Sequence, residues 1–384
     1  MRQTALIHSP RFAEYDLGPS HPLRPIRVSR AHELMRACGL LEHDHVSLAT
    51  PSSADEETLA LIHDRDYIEA VRAPGEGRAL KRPLDYGLGT VDNPIVAGMY
   101  EAMTVVAGAS LLAADLVIDG KASVAFNPSG GLHHAHRARA AGFCIFNDPA
   151  LAIAHIIERC GEGVKVVYLD IDAHHGDGVQ EAFYHRRDVL TISLHESGRY
   201  LFPGTGDVEE IGEGEGEGFS VNLPLSPYTN DEVYLWAFRE AVVPLLEAFQ
   251  ADFICTQLGV DTHYQDPLTH LCLTTQGYLS IVNEIAPRAP KWVALGGGGY
   301  DVTVVPRAWT LAFARMMEVD PPELIPESEA HHYPATNEGP LTLHDSAGPK
   351  IDEDWARLAR EFAETSVREI KGRIFPFHDL PTGS

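Results

Sequence analysis

An open, mainly parallel α/β sheet is the architecture this sequence predicts, and three observations carry the prediction. Short apolar runs rich in β-branched residues recur from TALIH near the N-terminus to PKWVAL around residue 290, and they read as strands buried on both faces. Longer segments with helical spacing lie between them, which makes the strands parallel and the helices their crossovers. Acids, histidines and glycine clusters stand directly behind the strands, along the carboxyl edge where open α/β sheets place their sites.

Composition narrows the class further. A chain of 384 residues, 44% of them hydrophobic, can bury a large core, and no domain boundary or internal repeat interrupts residues 1–384. Lys+Arg 30 against Asp+Glu 55 leaves a formal net charge of -25, which disfavours nucleic acid and anionic membrane as partners and steers cationic substrates inward. Cys38, Cys144, Cys160, Cys255 and Cys272 form no CxxC pair, so packed free thiols in a reducing compartment are expected. TALIH is too short for a signal segment, and no run reaches the roughly 18 apolar residues of a membrane span. The expected location is the cytoplasm.

TALIH is the first strand. The loop behind it carries GPSHPLRPIR, whose prolines 22 and 25 delay the first helix until about residue 27. On its own, Arg27 at that helix start reads as a surface charge. Further helices are expected at about 55–63, behind Asp55, and through HDRDYIEAV; a Gly- and Pro-dense loop then runs from Ala73 to Asn93 and contains Asp92. Ile95 to Ala114 is small and apolar enough for a buried helix. SVAFN follows as a strand, and the glycine loop PSGGLHH delivers His133 and His134 together before a helix at 148–159.

The central run, Val164 to Gln180, changes abruptly from strand into acids, histidines and glycines. If its extended geometry persists, alternation projects Asp170, Asp172 and His174 to one side. VLTISLHE and FSVNLPL are the next strands, with GEGEGEG (residues 212–218) between them as a flexible acidic connector. DEVYLWAFREAVVPLLEAF reads as one long amphipathic helix. ADFICTQLGVD then repeats the central grammar, an apolar strand leading to an acid, Asp261. PKWVAL leads into four glycines, including Gly298, and Tyr300; such a run lets backbone approach a cavity closely. Residues 320–350 are irregular, and a last amphipathic helix at 351–374 packs back on the domain.

Asp172, His174 and Asp261 together offer oxygen, nitrogen and oxygen. Three protein ligands without a thiolate suit a catalytic Zn²⁺ and also accommodate Fe²⁺, Mn²⁺ or Co²⁺. Such an ion polarises a carbonyl and lowers the pKa of its water to about 7, which points to amide or ester hydrolysis. The reaction also needs proton carriers and a donor to the developing oxyanion. His133 and His134 can be the carriers, with Asp170 and Asp177 fixing their tautomers, and Tyr300 can be the donor.

HPLRP, GGLHHAH, GFCIFND, YLDIDAHHGDGVQ, SLHES with LFPGTGD, NLPL, QLGVD with DPL, and GGGGY occur in this order over about residues 5 to 310. By these motifs the chain resembles the zinc-dependent histone deacetylase family, and within it the bacterial acetoin-utilisation branch. The resemblance implies the arginase/deacetylase-like fold, one domain around a mostly parallel eight-stranded sheet with helices on both faces. It implies Asp172, His174 and Asp261 as zinc ligands and Tyr300 as the group polarising an acetyl carbonyl. His134 matches the general base and acid, and His133 its electrostatic partner. Gly142, Phe143 and Phe202 match walls of an acyl-lysine tunnel, with Gly298 beside them, and Asp92 matches the aspartate at its rim. Asp170, Asp172, His174, Ser193 and Leu194 match a structural monovalent-cation site, read as K⁺. Arg27 matches an arginine of an internal acetate cavity.

Two positions refine the expectation. Leu268 stands where acetylpolyamine deacetylases of this family carry a glutamate, so the implied substrate is acetyl-lysine in a peptide or protein. Phe219 replaces a tyrosine common near a second monovalent site, which argues against that site here. The alternatives are an acetylpolyamine deacetylase and, in a different class, a non-catalytic acyl-lysine binding protein.

Overall fold

The computed structural model describes residues 1–334 and 340–382. Eight strands form one sheet: β1 Thr4–Ile7, β2 Val46–Ala49, β3 Val124–Asn127, β4 Val166–Asp170, β5 Val189–Glu196, β6 Ser220–Leu225, β7 Phe253–Gln257 and β8 Trp292–Leu295. Their order is β2-β1-β3-β8-β7-β4-β5-β6, and every pairing is parallel. Seven of the eight are buried along their whole length, which is why they read as unbroken apolar runs. The exception, β2, lies at one edge with Ser47 and Leu48 exposed. Its four residues carry neither a strong period nor full burial, and the sequence reading passes over it.

Eleven α-helices are found among the described residues: α1 Ile26–Ala37, α2 Glu56–Leu59, α3 Arg65–Gly75, α4 Met99–Ile118, α5 Asp148–Cys160, α6 Asp177–Phe183, α7 Asp231–Ala237, α8 Val243–Phe249, α9 Thr275–Ile285, α10 Val305–Met316 and α11 Glu353–Arg373. The helix expected at 55–63 is only the single turn α2, capped by the Asp55 side chain on Thr58 N. α4 begins four residues later than expected and ends later. It is long and apolar enough to span a bilayer, contrary to the sequence reading, but 72% of its most apolar window is buried within the protein. The long helix expected at 231–249 is split into α7 and α8 by a π-helical turn at Phe238–Val242. Pro244 accounts for the break: it has no N–H to donate, and its ring crowds the carbonyl four residues back.

The other sheet edge, β6, is not bare. α11 lies along it with Ala363, Val367 and Ile370 in the core and Ser366 Oγ donating to the Pro224 carbonyl at 2.8 Å. That cover protects an edge strand which already carries a proline in place of a ladder donor. GEGEGEG is no loose connector either. Gly216 is buried, Glu213 N donates to the Tyr184 carbonyl at 3.0 Å, and Gly218 N to that of Ile211 at 2.7 Å, so the segment is a hydrogen-bonded turn.

Candidate active site

Four adjacent strands, β3, β8, β7 and β4, bring their carboxyl ends together, and each is followed at once by polar residues. β4 ends in Asp170, and Asp172 and His174 lie two and four residues on. β7 ends in Gln257, four before Asp261. β8 opens into the glycines, and β3 into the loop of His133 and His134. Residues more than 120 apart in sequence meet because their strands are neighbours.

Asp172, His174 and Asp261 converge as expected. His174 Nδ1 lies 3.0 Å from both Asp172 Oδ1 and Asp261 Oδ2, and all three residues are buried. A tetrahedral ion bound at about 2.0–2.1 Å places its donors about 3.3 Å apart, so this spacing is that of a ligand set. The remaining oxygens are held from behind. Asp172 Oδ2 accepts from Gln257 Nε2 at 2.5 Å and Gly298 N at 2.8 Å, and Asp261 Oδ1 from Ala173 N at 2.8 Å. Burial and the adjacent Asp172 push the Asp261 carboxyl up to about 6. Burial also works against charge on Asp172, but His133 and His174 hold its pKa well below the usual carboxylate range. Two buried carboxylates facing one imidazole Nδ1, with no Lys or Arg salt bridge among the described residues, fit a dication at their centre. Asp170 does not join them: it bonds His133.

Glycine is required at Gly298. A Cβ there would collide with Asp261 Oδ2 and Asp172 Oδ2, so the backbone can approach the ligands only without a side chain.

The two histidines stand edge to edge. His133 Nε2 and His134 Nε2 are 3.0 Å apart, while their Nδ1 atoms lie 2.7 Å from Asp170 Oδ2 and from Asp177 Oδ1. Burial opposes charge on His133, but Asp170 and Asp172 overcome it and raise its pKa to about 9. Burial and the facing His133 lower that of His134 to about 4. The assignment that follows is an imidazolium at His133 donating to both Asp170 and His134, and a neutral His134 donating Nδ1–H to Asp177. Asp177 has a second neighbour, His136 Nε2 at 3.4 Å.

Tyr300 completes the ring of groups. Its backbone N donates to Asp266 Oδ2 at 2.8 Å, and its ring meets Phe143 edge-on with centroids 5.8 Å apart. Burial and the nearby Asp261 hold its phenol well above the ordinary value, so it remains a proton donor. Leu23, Arg27, His133, His134, Gly142, Phe143, Asp172, Gly298 and Tyr300 line one small internal cavity. A Cβ on Gly142, whose φ is +50°, would strike the rings of His134 and Phe202. Phe202 is 45% exposed and packs on His134, which lines the cavity, with ring centroids 5.0 Å apart.

Arg27 is buried, contrary to its reading in isolation. It donates to the carbonyls of Gly297 at 2.6 Å and Gly299 at 3.1 Å and lies over the Trp309 ring. Asp92 is exposed, and its carbonyl is 3.4 Å from His21 Nε2, whose ring packs on Phe143. Leu268 lies outside the cavity lining; its N–H bonds Asp266 Oδ1 at 2.9 Å. Asp170 and Ser193 are register partners on β4 and β5, with Leu194 next along, but Ser193 Oγ contacts His195 Nδ1 at 2.9 Å. Phe219 packs against Phe249 and His378.

Three supporting residues escape the sequence reading. Gln257 holds Asp172. Asp266 holds Tyr300, and burial together with Asp261 raises its carboxyl to about 8. Asp148 accepts from Gly131 N at 3.0 Å and Leu132 N at 2.8 Å, which pins the histidine loop. Gln257 and Asp148 each stand at the end of a buried apolar run, whereas Asp266 lies in a polar turn that gives no such signal. A separate grouping of potential ligands, Glu33, Glu329 and His332, lies at the surface away from this edge.

Similarity to known proteins extends over most of the chain. A family model described as the histone deacetylase domain matches residues 21–316. The chain is 45% identical over 333 residues to the acetoin utilization protein AcuC of Bacillus subtilis, covering 85% of each chain. It is 37% identical over 325 residues to the AcuC of a Staphylococcus aureus strain, covering 83% of this chain and 82% of that one. Among solved structures, a histone deacetylase homologue from Aquifex aeolicus superimposes with a TM-score of 0.83 at 30% identity, over 95% of this chain and 99% of that one. A homologue complexed with SAHA gives 0.84 at the same identity and coverage.

Proposed function

The chain belongs to the histone deacetylase family, and from that membership we propose that it removes acetyl groups from lysine side chains of peptides or proteins. The observation that carries the proposal is a cavity lined by Tyr300, by the carboxylate-backed pair His133 and His134, and by Asp172, one member of a buried Asp-His-Asp donor set.

Asp172, His174 and Asp261 would hold the divalent ion, for which Zn²⁺ is our reading. When bound, it supplies a Lewis acid for the acetyl carbonyl and lowers the pKa of a water. The chain's own groups do the rest. Phe143, Phe202 and Gly142 confine the lysine's methylene stem and exclude bulk water, and exposed Asp92 is read as the acceptor for the substrate backbone. Tyr300 donates its O–H to the carbonyl oxygen as negative charge develops there, a kind of interaction worth about 2.7–4 kcal/mol. The His133–His134 pair takes one proton from the attacking water and returns one to the lysine nitrogen as the C–N bond breaks; the carboxyl proton of the released acetic acid then passes to the freed amine, leaving acetate and a lysine ammonium. Arg27 puts a positive charge at the inner end of the cavity, on the side where acetate forms. Asp170, Asp172, His174, Ser193 and Leu194 are read as the seat of a structural K⁺. The whole chain, including 320–350 and α11, is taken as one working domain.

Leu268 favours acetyl-lysine over acetylpolyamines, because an apolar side chain gives a distal ammonium nothing to pair with. A steady-state comparison of acetyl-lysine peptides with acetylpolyamines, on metal-free protein reloaded with single metals, tests the proposal. Turnover of the peptide should predominate; far faster turnover of the polyamine would overturn the substrate assignment.

A further inference from the structure

The turn from Asp261 to Asp266 carries two functions at once: its first residue is a ligand, and its last holds the Tyr300 backbone. His263 sits at its pivot. His263 N donates to the Val260 carbonyl at 3.0 Å, and Asp266 N donates to the His263 carbonyl at 2.9 Å. Its ring is bonded on both sides, with Nδ1 accepting from Gln265 N at 3.2 Å, which leaves Nε2 as the N–H. That N–H donates to Asp345 Oδ2 at 2.8 Å, its one partner among the described residues.

Asp345 belongs to the irregular stretch far behind the last sheet strand, yet its side chain is only 5% exposed and both of its oxygens are engaged. Oδ2 also accepts from Thr275 N at 2.8 Å, at the start of α9, and Oδ1 accepts from Arg307 Nη1 at 2.9 Å. The segment carrying it is anchored independently. Leu343 is wholly buried with Leu34, Leu311 and Ile325, and its N–H donates to the Glu323 carbonyl at 2.9 Å. A fixed carboxylate therefore grips the pivot of the functional turn from outside the site.

We propose that Asp345 is a positioning residue for the reaction: through His263 it fixes the turn that aims Asp261 at the metal and Asp266 at Tyr300. This rests on the deacetylase reading of that site. Chemically, the position demands an acceptor on both oxygens, since donors approach from both sides. Asp345→Asn keeps the shape but sets an NH₂ against either Arg307 or His263. His263→Leu removes the N–H, and His263→Gln keeps an N–H on a side chain of similar reach.

The test uses full-length protein and three readouts: kcat and KM on an acetyl-lysine peptide, Zn²⁺ affinity by competition with a chromophoric chelator, and Tm. Partners of metal ligands typically contribute 10–100-fold, and this one acts a step further out, so Asp345→Asn and His263→Leu should each lower kcat and Zn²⁺ affinity about tenfold with KM little changed. The double variant should be no worse than the worse single one, and His263→Gln should keep most of both properties. A lowered Tm with wild-type kcat and Zn²⁺ affinity would overturn the proposal, as would losses that multiply in the double variant. If Asp345→Asn does not fold, the contrast between His263→Leu and His263→Gln decides, and equal losses in those two would overturn it. Wild-type protein that binds Zn²⁺ but leaves the peptide intact would instead sink the deacetylase reading, while the affinity comparison still judges Asp345.

Discussion

His133 Nε2 and His134 Nε2 stand 3.0 Å apart, a separation that has room for one shared proton and not two. Each ring is backed at 2.7 Å by its own carboxylate, Asp170 or Asp177, so both tautomers are set. The two imidazoles then act as one unit built around the proton they share. Residues acting as a unit give non-additive losses. His133→Ala and His134→Ala should each lower kcat by about 10²–10⁴, the range of a general acid–base group, and the double variant should fall little below the worse single one. Single-turnover rates on an acetyl-lysine peptide check this; losses that multiply would show that the two rings work separately.

Tyr300 has its phenol held in the protonated form and its backbone pinned by Asp266, so its contribution is an oriented O–H. Tyr300→Phe keeps the ring that packs on Phe143 and removes only that donor. We expect kcat to fall about 10²–10³ with KM nearly unchanged. Equal losses in inhibitor binding and in turnover would mean that the hydroxyl serves binding and not the transition state.

The ligand set was legible in the sequence because each member follows a buried strand within four residues, so charge appears abruptly after an apolar run. His133, His134 and Tyr300 stand five to seven residues beyond β3 and β8, and they were legible through the glycine loops that carry them and the ligand set nearby. What stayed hidden was long-range or unremarkable in isolation. Asp345 gives no local sign that it will meet His263, 82 positions earlier. Arg27 reads as a surface charge until its carbonyl partners, 270 and 272 residues away, are seen. β2 is half exposed, α6 starts in a glycine-rich run that hides its period, and GEGEGEG resembles a linker because composition does not reveal the Tyr184 carbonyl waiting for it.

Gly298 provides a test of the metal centre that leaves the chemistry groups intact. A methyl group there meets an oxygen of Asp261 and one of Asp172, so either the carboxylates turn or the strand exit shifts. Gly298→Ala should weaken Zn²⁺ affinity at least about tenfold, the scale of a disturbed ligand setting. It should also shrink the rise in Tm on adding Zn²⁺, since stabilisation by a ligand grows as RT ln(1 + [L]/Kd). Wild-type affinity in this variant would contradict the assigned ligands.

His63 links pH to the integrity of the histidine loop. It is buried, its Nε2 accepts from Asn147 N at 3.0 Å, and its Nδ1–H donates to the His136 carbonyl at 3.0 Å. Protonating Nε2 would break the first of these bonds. Asn147 in turn caps α5 and donates to the Ala135 carbonyl at 2.8 Å, inside the loop of His133 and His134. Burial lowers the His63 pKa from 6.5 to about 4, so between those values the unfolded chain binds a proton that the folded one refuses. The contribution is therefore complete above pH 6.5, is lost as pH falls toward 4, and changes no further below that. Its slope is at most about 1.4 kcal/mol per pH unit. In urea unfolding at pH 7, 6 and 5, His63→Gln should be less stable than wild type at pH 7, and its stability should decline less steeply on acidification. Parallel declines in the two proteins would show that His63 does not titrate in this window.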